Sequence, residues 1–183
     1  MKRLLDILLA LALLPIALPI LGFAAIAVRR DSPGPAFFRQ VRVGRDKRPF
    51  TLLKIRTMST DTKQAASHEV GAAQITEVGH FLRRTKIDEL PQIVAVLSGD
   101  MSFVGPRPCL PVQEELIAAR DEHQAFSVRP GITGPAQIAG VDMSTPARLA
   151  EIDGEYVRNR SLIGDVRLIL ATAFGAGSGD AAR

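Results

Sequence analysis

Two adjacent carboxylates with arginines on both sides are the residues of this chain best suited to chemistry. Asp88 and Glu89 precede an apolar run, Arg83 lies before them, and Arg107 follows in a Gly-Pro-Arg-Pro turn. A carboxylate that acts on a phosphate needs cations beside it, because like charges repel at contact distance. The planar guanidinium group is well suited to hold phosphate oxygens. This stretch therefore has the parts for a reaction at a phosphate ester.

The helices predicted around the two carboxylates would set their electrostatic environment. Thr76 is predicted to cap a helix that runs to Arg84, and Pro91 marks the first turn of the next helix. Asp88 and Glu89 would then lie at a helix N-terminus, which stabilises negative charge and attracts phosphate. Neighbouring helical side chains point about 100° apart, so we expect the two acids to play different roles. Spacing alone leaves open that they are ordinary helix-stabilising acids.

Composition limits the classes of protein to which the chain can belong. Its 183 residues suit one domain, or a small domain plus an anchor, and the net charge of +4 favours anionic partners. The single cysteine excludes an internal disulfide framework, and the three scattered histidines lack zinc-ligand spacing. Aromatic residues make up only 5% of the chain and tryptophan is absent. This scarcity argues against a site for single-stranded nucleic acid, which would use aromatic stacking, and we expect no nucleic-acid partner.

The first thirty residues are predicted to attach the chain to a membrane. Ile7 to Val28 is a run of 22 residues without a charged side chain, and a spanning helix needs about 20. A cleaved signal peptide is one alternative, because Lys2 and Arg3 precede the run and Ala25-Ile26-Ala27 resembles a cleavage site. A straight spanning helix is a second alternative.

Positive charge on both sides of this run favours a third alternative, a re-entrant helix that enters the membrane, bends and returns to the same face. The positive-inside bias would place both basic flanks on the cytoplasmic side. Pro15 and Pro19 each remove a backbone donor, which predicts a break in the helix. Prolines also occur in straight spanning helices. We expect residues 1–30 to be the re-entrant element, 31–175 the cytosolic catalytic domain at the membrane surface, and 176–183 a flexible tail.

The remaining sequence predicts an α+β fold that is mostly helical. Residues 37–43 and 50–57 alternate as two strands of a small β-hairpin, with a basic loop at 44–49 between them. Lys54 and Arg56 share one side of the second strand and are candidate phosphate ligands. Helices are predicted at 111–126, 147–156 and 162–174, with loops at 58–75 and 129–140. Together these elements would form one compact domain.

Several short motifs follow one another in order along nearly the whole chain. They are Lys2-Arg3-Leu4-Leu5-Asp6, Ser32-Pro33-Gly34-Pro35 with the residues up to Gly44, Lys54-Ile55-Arg56-Thr57-Met58, Asp88-Glu89-Leu90-Pro91-Gln92, Gly99-Asp100-Met101-Ser102, Val104-Gly105-Pro106-Arg107-Pro108, Arg129-Pro130-Gly131-Ile132-Thr133-Gly134, and Glu155-Tyr156-Val157 with Ser161-Leu162. In this order they resemble the small monotopic phosphoglycosyl transferases of bacteria, also called bacterial sugar transferases. Ala95, Pro135 and Arg160 depart from the usual pattern of that family.

This resemblance implies transfer of a sugar-1-phosphate from a UDP-sugar to a polyprenyl phosphate such as undecaprenyl phosphate, with release of UMP. It also implies a re-entrant membrane helix, with the catalytic domain on the cytoplasmic face of the bacterial inner membrane. Asp88 would be the nucleophile that forms a phosphosugar intermediate, and Glu89 would bind metal or handle a proton. Arg83, Arg107 and Lys54 would hold phosphate. Mg²⁺ would be bound at Asp88 and Glu89.

Two functions without catalysis remain as alternatives on the residues alone. A basic membrane-anchored binding module would recruit acidic partners, and its binding would survive loss of both carboxylates. A nucleic-acid binder would bind oligonucleotides with a steep dependence on salt. The carboxylates between arginines separate the enzyme from both, because neither binder has a use for them. The identity of the sugar does not follow from the sequence.

Overall fold

The computed structural model describes residues 1–60 and 74–177, and within these ranges the chain is mostly helical with two small sheets. A 3₁₀ helix (Ile87–Gln92) leads directly into the α-helix that begins at Ile93. The other elements, in chain order, are α1 (Lys2–Asp31), β1 (Phe37–Val43), β2 (Pro49–Ile55), α2 (Glu77–Thr85), α3 (Ile93–Ser98), β3 (Ser102–Val104), α4 (Glu114–Glu122), β4 (Gly131–Thr133), α5 (Pro135–Ile138), α6 (Pro146–Asn159) and α7 (Leu162–Ala173).

The predicted hairpin is confirmed. β1 and β2 pair antiparallel from Phe37 opposite Ile55 to Val43 opposite Pro49. Asp46 and Lys47 have positive φ angles of 54° and 58° in the connecting turn. Gln40 and Arg42 alternate with exposed residues on β1 and point into the protein. The basic residues of the hairpin are therefore not all on the solvated face.

A parallel pair of short strands, β3 and β4, replaces part of the loop predicted at 129–140. Ser102 lies opposite Gly131, and Val104 lies opposite Thr133. A Cβ atom on Gly131 would lie only 2.1 Å from the amide nitrogen of Gly105. Glycine therefore permits the two backbones to approach, and the turn that carries Arg107 is held beside β4. The prediction missed this pair because parallel strands of three residues have little local signal.

The N-terminal helix α1 is continuous over 30 residues, including Pro15 and Pro19. The chain stays helical through both prolines, so the predicted break does not appear as an interruption of the helix. Proline fixes φ near the helical value, so each ring removes one hydrogen bond without forcing the helix to end. By length and composition α1 is the one helix of the described chain that could cross a membrane.

One face of α1 packs against the rest of the protein along its whole length. The buried positions Asp6, Ala10, Ala17, Ala24 and Val28 are spaced by four or seven residues and therefore lie on one stripe. The opposite face carries large apolar side chains that are at least half exposed: Leu4, Leu8, Leu11, Ile16, Leu18, Phe23 and Ile26. Such an apolar surface marks a membrane or protein contact.

Polar side chains at the start of α1 fix it to the elements around β3. The carboxylate of Asp6 accepts hydrogen bonds from Ser102 Oγ at 2.9 Å and from the Phe103 amide at 3.1 Å. The guanidinium of Arg3 donates to backbone carbonyls in the last turn of α3. The last carbonyls of a helix have no amide four residues on to bond; that of Val96 is shared with the Gly99 amide, and Arg3 completes the C-terminal cap.

A second link joins α1 to α6 and α7 through a buried acid. Lys2 Nζ lies 2.7 Å from Asp165 Oδ2, and the Tyr156 hydroxyl lies 2.8 Å from Asp165 Oδ1. Burial, together with Asp165, raises the pKa of Tyr156, so the phenol stays protonated and donates. The opening Lys-Arg-x-x-Asp motif thus anchors the apolar helix to the folded domain.

The helices of the last third are close to those predicted. α6 and α7 agree with the predicted helices to within three residues at each end, whereas α4 is shorter than the predicted 111–126. α7 leaves the apolar side chains Ile163, Val166 and Leu170 exposed. Residues 61–73 of the predicted loop and 178–183 of the predicted tail lie outside the described residues. The three-part division of the chain stays a prediction.

Candidate active site

Asp88 and Glu89 lie in the first turn of the 3₁₀ helix, at the start of a helical segment as predicted. Lys86 ends α2 and begins the 3₁₀ helix with φ 57° and ψ 17°, which turns the chain sharply between the two elements. Pro91 follows inside the same 3₁₀ helix, and α3 continues from Ile93. This turn directs the two acids into the interior, where only 8% of Asp88 is exposed.

Glu89 is the centre of an ion cluster built from three distant parts of the chain. Its Oε1 atom lies 3.0 Å from Lys54 Nζ of β2 and 2.8 Å from Arg107 Nη2 of the turn after β3. Burial opposes ionisation of the Glu89 carboxyl, but Arg107 and Lys54 outweigh it and hold its pKa well below the usual range. Glu89 is therefore a permanent carboxylate that fixes both cations.

Asp88 has the opposite electrostatic character. Burial raises the pKa of its carboxyl to about 6, with Lys54 opposing the rise and Glu89 adding to it. Within the part of the chain that the structure describes, no group donates a hydrogen bond to Asp88. The two adjacent acids therefore differ in protonation behaviour, and Asp88 is the more basic of the two. A buried carboxylate with little hydrogen bonding is suited to nucleophilic attack.

The two acids line a cavity of about 660 Å³, which is within the usual size of a small-molecule site. Its described lining includes apolar side chains from α1, the hairpin and α7. Two lining side chains, Asp88 and Glu89, are acidic. Six are basic: Arg42, Lys54, Arg56, Arg83, Lys86 and Arg107. A cavity with this excess of positive charge suits a ligand that carries several negative charges.

The structure brings all six predicted site residues to this one cavity. Arg83 donates from Nε to Thr57 Oγ1 at 2.9 Å, which orients its guanidinium. Arg56 differs, because its guanidinium donates to the carbonyl oxygens of Pro35 and Ser32 at 2.7 and 2.9 Å. These bonds tie Arg56 to the turn after α1, so its geometry fits a positioning residue better than a phosphate ligand.

Two residues that the sequence did not reveal support Arg107 from behind. Arg120 on α4 and Asp153 on α6 form an ion pair with Nη2 to Oδ2 2.7 Å, and both side chains are at most 2% exposed. Arg120 Nη1 also donates to the carbonyl oxygen of Arg107 at 2.8 Å. Arg120 and Asp153 lie in helices that carry many exposed charged residues. No local sequence pattern separates these two buried residues from the exposed ones.

Further polar residues also line the cavity and were not predicted. Gln40 and Arg42 enter it from β1, where their alternation with exposed residues was the available signal. Thr133 on β4 and Thr172 on α7 share a hydrogen bond of 2.6 Å on another part of the wall. Non-local contacts bring the two threonines together.

Asp88 and Glu89 are the two carboxylates that the described cavity lining offers to a metal ion. The described residues contain no group of three or more His, Cys, Asp or Glu side chains that could hold a metal. Mg²⁺ commonly binds one or two carboxylates and takes its other ligands from substrate phosphates and water. Asp88 and Glu89 fit that arrangement and do not fit a zinc site enclosed by protein ligands.

Comparisons with known proteins agree with this geometry. A family model described as "Bacterial sugar transferase" matches residues 1–178. The chain is 41% identical over 182 residues to a UDP-glucose:undecaprenyl-phosphate glucose-1-phosphate transferase of Caulobacter vibrioides, covering 93% of this chain and 67% of that protein. It is 39% identical over 183 residues to a protein of the same name from Escherichia coli (strain K12), covering 95% of this chain and 39% of that protein.

A third relative is named for a different sugar. It is the UDP-N-acetylgalactosamine-undecaprenyl-phosphate N-acetylgalactosaminephosphotransferase of Aeromonas hydrophila, 36% identical over 181 residues, with 93% of this chain and 42% of that protein covered. The chain thus spans between 39% and 67% of the length of these three relatives. The match of the family model to nearly every residue shows that the chain belongs to the bacterial sugar transferase family.

Proposed function

We propose that this protein transfers a sugar-1-phosphate from a UDP-sugar to undecaprenyl phosphate and releases UMP. The observation that carries the proposal is the buried Asp88 carboxylate beside Glu89, which holds Lys54 and Arg107 in a cavity rich in cations. The names of the relatives support the same pair of substrates. Because those names include two different sugars, the sugar is left for experiment.

In the first half of the reaction, Asp88 attacks the β-phosphorus of the UDP-sugar. A bond forms between a carboxylate oxygen and that phosphorus, and the bond from the phosphorus to the bridging oxygen breaks. UMP leaves with the bridging oxygen, and the sugar phosphate stays on Asp88 as an acyl phosphate. Lys54 and Arg107, held by Glu89, stabilise the negative charge on the phosphoryl oxygens.

In the second half, an oxygen of the lipid phosphate attacks the same phosphorus. The acyl phosphate bond breaks, Asp88 returns as a carboxylate, and the sugar is left on a polyprenyl diphosphate. The same cations, Lys54 and Arg107, would stabilise the negative charge on the phosphoryl oxygens in both displacements. Because one carboxylate takes part in both, the mechanism is ping-pong.

Mg²⁺ would be held by Asp88 and Glu89 together with diphosphate oxygens, and it would neutralise charge on the phosphoryl groups. Glu89 keeps its ionised form because of Lys54 and Arg107, so it offers the ion a carboxylate at any physiological pH.

The contacts of α1 support a re-entrant position in the inner membrane with the catalytic domain on the cytoplasmic face. Lys2 and Arg3 at one end contact α7 and α3, and Val28 near the other end packs in a cluster with Ile55. Both ends of the helix therefore lie against the same domain, which favours a re-entrant helix over a straight spanning one. The exposed apolar face of α1 would contact lipid.

The test is UMP release from a panel of UDP-sugars with Mg²⁺, detergent and undecaprenyl phosphate. Wild type, Asp88→Asn and the surface control Asp121→Asn would be compared. We expect release by wild type and the control, and none by Asp88→Asn. Without acceptor lipid, wild type should release about one equivalent of UMP per protein, because the reaction stops at the acyl phosphate.

Two outcomes would change the proposal. Wild-type turnover by Asp88→Asn would remove Asp88 as the nucleophile, and UMP release only with acceptor present would favour direct displacement. If a folded protein failed with a wider set of nucleotide sugars, the non-catalytic binding module would replace the enzyme.

A further inference from the structure

Lys86 occupies a backbone position that a lysine does not favour. Its φ of 57° lies in the left-handed region, where a Cβ atom is crowded and where glycine or asparagine is the usual residue. It stands two residues before Asp88 and lines the same cavity. A long charged side chain kept at a strained turn beside a candidate nucleophile points to a function for that side chain.

The ammonium group of Lys86 donates to a neutral backbone carbonyl, which is a weaker acceptor for a cation than a carboxylate or phosphate oxygen. Its Nζ donates to the carbonyl oxygen of Ala176 at 3.0 Å. Among residues 1–60 and 74–177, Lys86 forms no ion pair with a carboxylate, whereas Lys54 lies 3.0 Å from Glu89. An ammonium has three donors, and its hydrogen bonds to anionic oxygens are stronger than those to neutral carbonyls. Lys86 can therefore gain by exchanging its carbonyl partner for an anion.

The proposed reaction brings two anionic substrates to this cavity. Lys54 and Arg107 both contact Glu89, and the guanidinium of Arg56 is bound to the turn after α1. These three cations therefore already have partners within the protein before a substrate binds. Lys86 adds another cation to the lining of this cavity. No carboxylate of the described chain contacts its ammonium group.

We propose that Lys86 is a phosphate-binding residue whose ammonium leaves the carbonyl of Ala176 for a phosphate oxygen of a bound substrate. The inference rests on the proposed function and names one more residue of its binding machinery. The phosphate belongs either to the nucleotide diphosphate or to the polyprenyl phosphate, because both present the same oxygens to an ammonium.

The test compares wild type with Lys86→Met, Lys86→Gly and the control Lys47→Met. Methionine keeps most of the apolar stem and removes the charge. Glycine removes the charge and suits the left-handed backbone, so a loss of function in that variant does not come from strain at the turn. Lys47 is an exposed lysine whose ammonium lies 2.9 Å from Asp121, and it does not line the cavity.

Dissociation constants would be measured separately for UDP and for a short-chain polyprenyl phosphate in detergent, at 50 and 500 mM salt. We expect both Lys86 variants to bind at least one ligand about tenfold more weakly at low salt. The difference from wild type should shrink at high salt, because screening weakens a charge effect. The ligand that loses affinity identifies which phosphate Lys86 holds, and Lys47→Met should bind both as wild type does.

Unchanged dissociation constants for both ligands in both variants would overturn the proposal. So would a salt-independent loss in Lys86→Met that Lys86→Gly does not share, because that pattern would assign Lys86 a structural role.

Turnover of UDP-sugars is measured separately from binding. Binding that depends on Lys86 without turnover would overturn the proposed function alone, and turnover with binding independent of Lys86 would overturn this inference alone.

Discussion

Asp88 and Glu89 are adjacent in sequence, yet the protein gives their carboxyl groups opposite protonation behaviour. Burial raises the pKa of Asp88 to about 6, whereas Arg107 and Lys54 overcome burial and lower that of Glu89. The difference arises because Glu89 takes the direct contacts with both cations. Asp88 is left ionised at neutral pH but poorly stabilised, which is the condition that favours attack on phosphorus.

Burial of the ionised Asp88 carboxylate should lower the free energy of unfolding, and a substitution of Asp88 should reveal this. The folded state holds the Asp88 proton up to about pH 6, whereas the unfolded chain loses it near 3.8. Stability therefore falls as pH rises from about 4 to about 6, by about 3 kcal/mol in total, and stays lower above that range. Asp88→Asn lacks an ionisable group, so its free energy of unfolding should exceed that of wild type by up to about 3 kcal/mol at pH 8.

Denaturant unfolding of both proteins in the same detergent at pH 4 and pH 8 would measure this difference. The advantage of Asp88→Asn should be close to zero at pH 4 and largest at pH 8. An inactive variant with wild-type stability at pH 8 would show that burial does not penalise the Asp88 charge.

At the scale of secondary structure, the buried ion pair between α4 and α6 connects packing to the site. Arg120 bonds both Asp153 and the carbonyl oxygen of Arg107. Asp153→Asn should destabilise the protein by about 3–5 kcal/mol, because it leaves a buried guanidinium unpaired. The double variant Arg120→Met with Asp153→Leu should recover most of that stability, because apolar residues of similar volume often replace buried ion pairs at little cost.

The double variant should nevertheless bind UDP-sugar less well, because the Arg107 carbonyl loses its donor and the turn becomes less fixed. The prediction is a KM several-fold above wild type at similar stability, measured by UMP release and by denaturant unfolding. A double variant with wild-type stability and wild-type KM would show that the ion pair serves packing alone.

Local elements were predictable and the contacts between them were not. The β1–β2 hairpin and the start of α2 at the Thr76 cap follow from alternation and capping, which depend on neighbours in sequence. The two acids were recognised from the charges around them. Their division of roles depends on Lys54, 35 residues before Glu89, and on the parallel strands that hold Arg107. Only tertiary packing sets these distances.

At the scale of the whole molecule, the position of α1 against the domain supports the proposed membrane topology. A helix of 30 residues is about 45 Å long, and its buried stripe contacts the domain from Asp6 to Val28. Both ends should therefore be accessible from the same side of the membrane. Cysteine labelling can test this, because Cys109 is fully buried and burial raises the pKa of its thiol, which protects it from reagents.

Three single-cysteine probes would be compared in inverted and right-side-out vesicles. One cysteine would be inserted after Met1, one placed at Arg30 and one at Val112, all of which are exposed. We expect a membrane-impermeant maleimide to label all three only in inverted vesicles, where the cytoplasmic face is accessible. Labelling of the first two probes from opposite sides would mean that α1 crosses the bilayer.

The side chain of Leu13 in α1 forms part of the wall of the substrate cavity. The helix that we propose attaches the protein to the membrane is therefore also a structural part of the enzyme's interior. A foreign hydrophobic helix could not simply replace it. Such a helix would still bring the domain to the membrane, but the cavity would be incomplete. Inhibitors selected on a soluble version without this segment would be fitted to a shape that the native protein does not have.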